Sequence, residues 1–413
     1  MAVTRRVFLR NSALAVVGTS VVPRFLTRAV FAEPLLGGGK KRLVVLFQRG
    51  AADGLNIVVP HGDPLYYRMR PTIAIPQNSV LDLDGYFGLH PSMQAFKPLW
   101  DAKQLAIVHA AGSPDNSRSH FDAQDYMESG TPGVKSTEDG WLNRALHEKH
   151  DAKQSPFRAV ALGTALPRTL AGTEPAVAIS NISDFGVGGR GNAPAGVSSS
   201  FEAMYAQSVD TVLHGTGAET FDAVKMLKAA DPARYTPAPN ANYPRGRFGD
   251  SMKQIAQLLK ADLGVEVAFA DIGGWDHHVN EGSTQGQIAN LTREFSQSIA
   301  AFWEDIGDLG GETVLATMSE FGRTARENGT RGTDHGHANV MFVLGGPVKG
   351  GKVYGRWPGL DDRHLYEGRD LEVTTDFRSV LGECLNRHMG SNELATVFPG
   401  FQANPKSFLN FVR

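Results

Sequence analysis

The chain has 413 residues, of which 41% are hydrophobic and 20% charged, the balance of a globular protein long enough to bury a sizeable core. Basic residues number 41 and acidic residues 43, a net charge of −2 that removes the electrostatic case for a nucleic-acid partner. Cys384 is the only cysteine, so an intrachain disulfide is excluded.

At the N-terminus, Thr4-Arg5-Arg6-Val7-Phe8-Leu9-Arg10 sets two adjacent arginines before an apolar pair. The apolar and small-residue run 12–22 that follows falls well short of the ~20 residues a helical membrane span requires. A charged region, an apolar region and a small-residue exit in that order form an export signal, and the arginine pair makes it the twin-arginine kind. Val30-Phe31-Ala32 suits cleavage after Ala32. Residues 1–32 are therefore read as a signal peptide. Residues 33–413 are read as one mature domain without a membrane span, periplasmic or otherwise exported, with the twin-arginine translocase as its partner in transit.

Past the linker Gly37-Gly38-Gly39-Lys40-Lys41, short apolar runs closed by Gly, Pro or Asp predict strands at 42–47, 104–110, 158–162, 265–272, 313–318 and 338–344. Ile288, Leu291, Phe295, Ile299, Phe302 and Ile306 recur at three- and four-residue steps and predict a helix over 287–307. Strand, helix and strand over 265–318 make a βαβ unit, so the fold class is α/β, a mostly parallel sheet with helices on both faces. The Gly-, Ser- and Pro-rich stretch 183–200 reads as a long loop, and 201–260 as helical with a break at 236–244. Together, 183–260 is read as an insertion over the functional edge of the sheet.

Ligands of open parallel sheets bind outside the carboxyl ends of the strands. The loops there carry Asp53, Gly274-Trp275-Asp276-His277-His278, Ser319-Glu320-Phe321-Gly322-Arg323-Thr324 and Thr333-Asp334-His335-Gly336-His337. Carboxylate oxygen with imidazole nitrogen is the donor set of a divalent metal ion, zinc first, with manganese or iron as alternatives. Asp276 with His278, and Asp334 with His335 and His337, supply such donors on two short loops. Ser119, ahead of a helix predicted over 122–128, is either a nucleophile or an N-cap. Arg323 and Arg49 are candidates to hold an anionic substrate, with structural ion pairs as the alternative. His61, His90, His109, His147, His150, His214, His364 and His388 are scattered and read as surface or structural residues.

On the segments 49–56, 119–125, 274–278, 319–324 and 333–336 the chain resembles the family called domain of unknown function 1501, over nearly all of its mature length. That family is made up of twin-arginine-exported bacterial proteins related to the alkaline phosphatase and sulfatase superfamily. The resemblance implies an alkaline-phosphatase-like α/β fold. It also implies a metal site drawn from Asp53, Asp276, His278, Glu320 and His335 or His337, with Ser119 or His120 near the position of a nucleophile. Two departures stand out. Phe321 replaces a metal ligand, which leaves a two-metal site incomplete, and the Asp276-to-His278 spacing is short. The formylglycine signature is missing, which excludes cysteine-type sulfatase chemistry. The resulting expectation is an exported metal-dependent hydrolase of phosphate or sulfate esters or a related anionic ester. The alternative is a non-catalytic periplasmic metal- or polysaccharide-binding protein on the same fold, so the partner is a small anionic substrate or an envelope polysaccharide.

Overall fold

The computed structural model describes residues 40–148, 155–182, 226–227 and 234–413, together with the backbone of a short antiparallel hairpin, Arg6–Arg10 with Ala13–Val17. The cut after Ala32, the loop 183–200 and nearly all of 201–233 lie outside the described residues.

All six predicted strands form: β1 (Arg42–Gln48), β2 (Leu105–Gly112), β3 (Ala159–Leu162), then, after β4 (Val177–Ile179), β5 (Val267–Ile272), β6 (Thr313–Ser319) and β7 (Asn339–Gly345). Two further short strands, β8 (Lys352–Tyr354) and β9 (Thr375–Asp376), complete a sheet in the order β8-β2-β7-β6-β1-β5-β3-β4, with β9 also on β2. Every pairing is parallel except the two made by β7, which runs antiparallel to β6 and β2. The predicted βαβ unit is present with one addition: β5 and β6 do not pair directly, because β1 lies between them and bonds to both.

The alternating faces of a strand send successive side chains to opposite sides. Val44 and Leu46 of β1 enter one core, while Leu43, Val45 and Phe47 enter the other. The first core is closed by helices α3 (Arg247–Lys260) and α4 (Gln287–Ile306), with α4 presenting the predicted stripe. The second is closed by α2 (Trp141–His147) and α5 (Phe377–Glu383), and by Met127 from α1 (His120–Ser129). Helix α3 falls in the stretch read as an insertion, yet Phe248, Met252, Ile255 and Leu259 are buried against the sheet, so this part belongs to the core. Downstream of the undescribed stretch, Asp305 of α4 accepts hydrogen bonds from Tyr235, Tyr243 and the Ala238 amide and pairs with Lys260 at 2.9 Å. That one carboxylate fixes the path of the chain into α3.

Phe295 is fully buried, with ring contacts to Phe96, Phe248, Trp275 and Phe342. Phe295→Ala is expected to cost about 3–5 kcal/mol of stability, since the ring's transfer energy is lost and a cavity remains. Urea denaturation followed by tryptophan fluorescence measures it.

Candidate metal centre

Strands β1, β5 and β6 end in register, with Gln48 opposite both Ile272 and Ser319. Their three following loops therefore leave one edge side by side. Because β7 runs the other way, it begins at that same edge, and the segment 333–338 arrives there. Strand β2 also ends there, Ala111 facing Asn339, and its continuation delivers the start of α1.

Close backbone approach brings these loops into contact. Gly50 has φ +113°, and a Cβ there would lie 2.8 Å from the Asp276 amide nitrogen. Gly336 bonds its amide to the Gly322 carbonyl at 2.8 Å, and a Cβ on it would sit 2.3 Å from the Arg323 carbonyl carbon. Only glycine fits either position.

The result is a cluster of His120, His278, His335 and Asp276. The Nε2 of His335 lies 3.0 Å from that of His120 and 2.9 Å from that of His278. Asp276 Oδ1 is 2.9 Å from His278 Nε2 and 3.2 Å from His335 Nε2, and its Oδ2 is 3.4 Å from His120 Nε2.

The opposite ring nitrogens fix the tautomers. His120 Nδ1 faces Glu320 Oε1 at 2.8 Å, His278 Nδ1 faces Asp334 Oδ1 at 3.0 Å, and His335 Nδ1 faces the Arg118 carbonyl at 2.8 Å. All three partners are acceptors only, so each neutral ring carries its proton on Nδ1 and turns a bare Nε2 lone pair inward. Three lone pairs and a carboxylate facing one another repel unless a cation lies between them. Metal bonds of about 2.0–2.1 Å in a tetrahedral site imply donor-to-donor edges of about 3.3 Å, close to the 2.9–3.4 Å found here. The residues that fit a divalent cation are His120, His335 and Asp276, whose donor atoms all lie within 4.8 Å of one another, with His278 beside them against His335 and Asp276.

Asp276 ionises readily: burial works to raise its pKa, but the Arg323 guanidinium, donating to Oδ1 at 2.8 Å, holds it below the usual range. The hydrogen bond that His120 donates to Glu320 is the main reason that the His120 pKa is raised. Burial lowers that of His335. Phe321 packs its ring 5.0 Å from both His120 and His335 and forms an apolar wall behind them.

The remaining candidate residues take other places. Glu320 is buried and accepts from the Gly50 amide, Gln124 and His120, each at 2.8 Å, so it stands behind the His120 imidazole and outside the group of mutually close donors. Those donors outweigh burial and keep its pKa low. Asp334 likewise orients His278 and does not join the cluster. Asp53 forms a buried two-pronged ion pair with Arg70, whose guanidinium also donates to the Thr324 and Ala325 carbonyls, so its oxygens are already committed. His337 packs at a tilt against Tyr366, with ring centroids 4.4 Å apart, and is not among the mutually close donors. Ser119 takes the cap position: its Oγ accepts the Asp122 amide at 3.5 Å, and the helix presents His120 to the cluster in place of that hydroxyl. Arg323 has a fully buried side chain that bonds Asp276 and Thr333, so it holds a ligand and cannot reach a substrate.

Sequence reasoning placed His120 near a nucleophile's position and not among the candidate metal donors, where the structure brings it beside Asp276 and His335. It missed Arg70 and Glu281. Glu281 is fully buried and accepts from Thr333 Oγ1 at 3.0 Å. Burial and then the neighbouring Asp53 charge raise its pKa well above the ordinary carboxyl value. A buried chain thus runs from Asp53 and Glu281 through Thr333 to Arg323 and ends at the ligand Asp276.

A family model described as "Protein of unknown function (DUF1501)" matches residues 40–397. Among solved structures, the chain is similar to a protein in the alkaline phosphatase superfamily from Vibrio parahaemolyticus, at 11% identity and TM-score 0.33, covering 78% of this chain and 67% of that one. It is also similar to the PsFucS1 sulfatase from Pseudoalteromonas sp., at 14% identity and TM-score 0.35, covering 76% and 64%. A third is the lipoteichoic acid synthase LtaP from Listeria monocytogenes, at 8% identity and TM-score 0.32, covering 79% and 71%. The chain thus spans about two thirds of the length of these structures. No curated protein sequence matches it.

Glu320→Gln is expected to weaken cation binding roughly 10- to 100-fold, because the amide offers a weaker acceptor to His120. Asp334→Asn should do less, since that carboxylate is 53% exposed. Competition against a chromophoric chelator measures both. Arg70→Ala, by stranding the Asp53 charge, is expected to cost about 3–5 kcal/mol in a denaturant titration.

Proposed function

The chain belongs to the DUF1501 family, and from the geometry of its site we propose that it is an exported metal-dependent hydrolase of phosphate or sulfate esters, or of a related anionic ester. The observation that carries this reading is the convergence of three bare Nε2 atoms on Asp276, each ring locked by an acceptor on its far side. Such an arrangement asks for a cation, with zinc the best match to nitrogen-rich four-donor binding. When bound, the ion supplies Lewis-acid polarisation of the ester oxygen and acidifies a water at neutral pH.

The protein's own groups set the conditions for that chemistry. Glu320, Asp334 and the Arg118 carbonyl keep the Nδ1 protons in place, so the three rings act as neutral donors. Arg323 pins Asp276 Oδ1. Asp276 is the single anionic donor of the cluster and is already paired with Arg323. The cluster is open to solvent: the side chains of Asp276 and His278 are 43% and 39% exposed. With Ser119 acting as a cap, water is the attacking group.

Export rests on Arg5-Arg6 and the short apolar run behind them. Among the described residues, no helix is long and apolar enough to cross a membrane.

A second reading is a non-catalytic periplasmic metal- or polysaccharide-binding protein. The Phe321 wall supports it, since it replaces the donor a second cation would need. Elemental analysis of purified protein, followed by turnover of p-nitrophenyl phosphate and p-nitrophenyl sulfate, separates the two. We expect one ion per chain, ester cleavage, loss of both in His335→Ala and in His278→Ala, and retained cleavage in Ser119→Ala. An ion without turnover would leave the binding reading, and the lack of a stoichiometric ion would remove both.

A further inference from the structure

We infer that Arg369 is the residue that grips the anionic group of the substrate. The inference rests on the hydrolase reading and adds its specificity residue. The other guanidinium groups around the centre are committed elsewhere. Arg323 and Arg70 have fully buried side chains and hold Asp276 and Asp53. Arg49 pairs with Glu128 at 2.9 Å and Asp271 at 2.7 Å. Arg118 spans Glu367 at 2.7 Å and Asp370 at 2.6 Å.

Arg369 differs in three respects. Its side chain is 41% exposed. Its Nη2 donates to the carbonyl of His335 at 2.6 Å, so the guanidinium rests on the backbone of a cluster residue. Its ion pair with Asp370 is loose, Nε lying 3.5 Å from Oδ1, while the other oxygen of that carboxylate is held by Arg118; Glu367 and Asp334 also feel its charge. A guanidinium has five N–H groups in a rigid fork, and those not used on His335 remain for a ligand.

The arm that carries it is fixed. Arg369 sits in a hairpin of Leu365–Tyr366 with Asp370–Leu371. Arg118 clasps both Glu367 and Asp370 of that hairpin, and the Ala325 amide donates to the Arg369 carbonyl at 3.1 Å. The same Arg118 gives its own carbonyl to His335 Nδ1. Arg118 therefore ties the hairpin and the imidazole to one frame, and the fork is held at a set place beside the centre. A planar fork matches two oxygens of a phosphoryl or sulfuryl group. The substrate class is then a tetrahedral oxyanion ester, in preference to a neutral ester.

The test uses the full chain loaded with zinc, with inorganic phosphate as the probe, and two readouts: zinc affinity by chelator competition, and phosphate affinity by calorimetry. Arg369→Gln keeps an amide donor for the His335 carbonyl and removes the charge. It should leave zinc affinity unchanged and weaken phosphate binding roughly tenfold or more, with Arg369→Lys recovering part of the loss. Wild-type phosphate affinity in zinc-loaded Arg369→Gln would overturn the inference. Loss of zinc from that variant would also overturn it, by making Arg369 a prop for His335. If the wild type takes up no zinc, the chelator competition shows it before phosphate is added, and the hydrolase reading falls with this inference.

Discussion

The contact of the His335 Nε2 with those of His120 and His278, at 3.0 and 2.9 Å, is the constraint around which the functional edge is built. Nothing in ordinary packing favours such a contact. It persists because each ring is held from behind by an acceptor that cannot turn around, and because Asp276 is held in front of them by Arg323. The energy for this comes from the surroundings. Glu320 is anchored by a backbone amide and by Gln124, and Arg323 by the buried Thr333 and Glu281. Coupled networks of this kind keep their geometry only when every member is satisfied.

The sheet explains why these groups meet. Parallel strands put their following loops at one edge, and a single reversed strand brings one more segment to it. The two hydrophobic cores, one on each face, make that edge rigid without drawing on the site residues themselves. Function is thereby confined to loops, and stability to the layers beneath them.

Much of this was legible from residue order. The six longer strands were readable because each is an apolar run closed by a turn residue, and α4 because its stripe repeats at helical spacing. The strands 177–179, 352–354 and 375–376 were not, since two or three residues carry no period. The direction of β7 was hidden too, because a connection without a helix does not announce which way the next strand runs. Asp276, His278 and His335 were legible as neighbours because donors crowd those loops. The contacts of Glu320 and Asp334 with His120 and His278 were not legible, because a carboxylate beside a histidine reads the same whether it faces an ion or an Nδ1 proton. Arg70 and Glu281 gave no signal, because charges that neutralise one another in the interior leave no pattern along the chain.

One consequence follows from where the four donors originate. They stand on three connections, from His120 after β2 to Asp276 and His278 after β5 and His335 before β7, the first and last 215 positions apart. A bound ion would act as a clasp across distant parts of the polypeptide. A protease cut in an exposed stretch between those points would leave two pieces still fastened together, and withdrawing the ion would loosen that fastening.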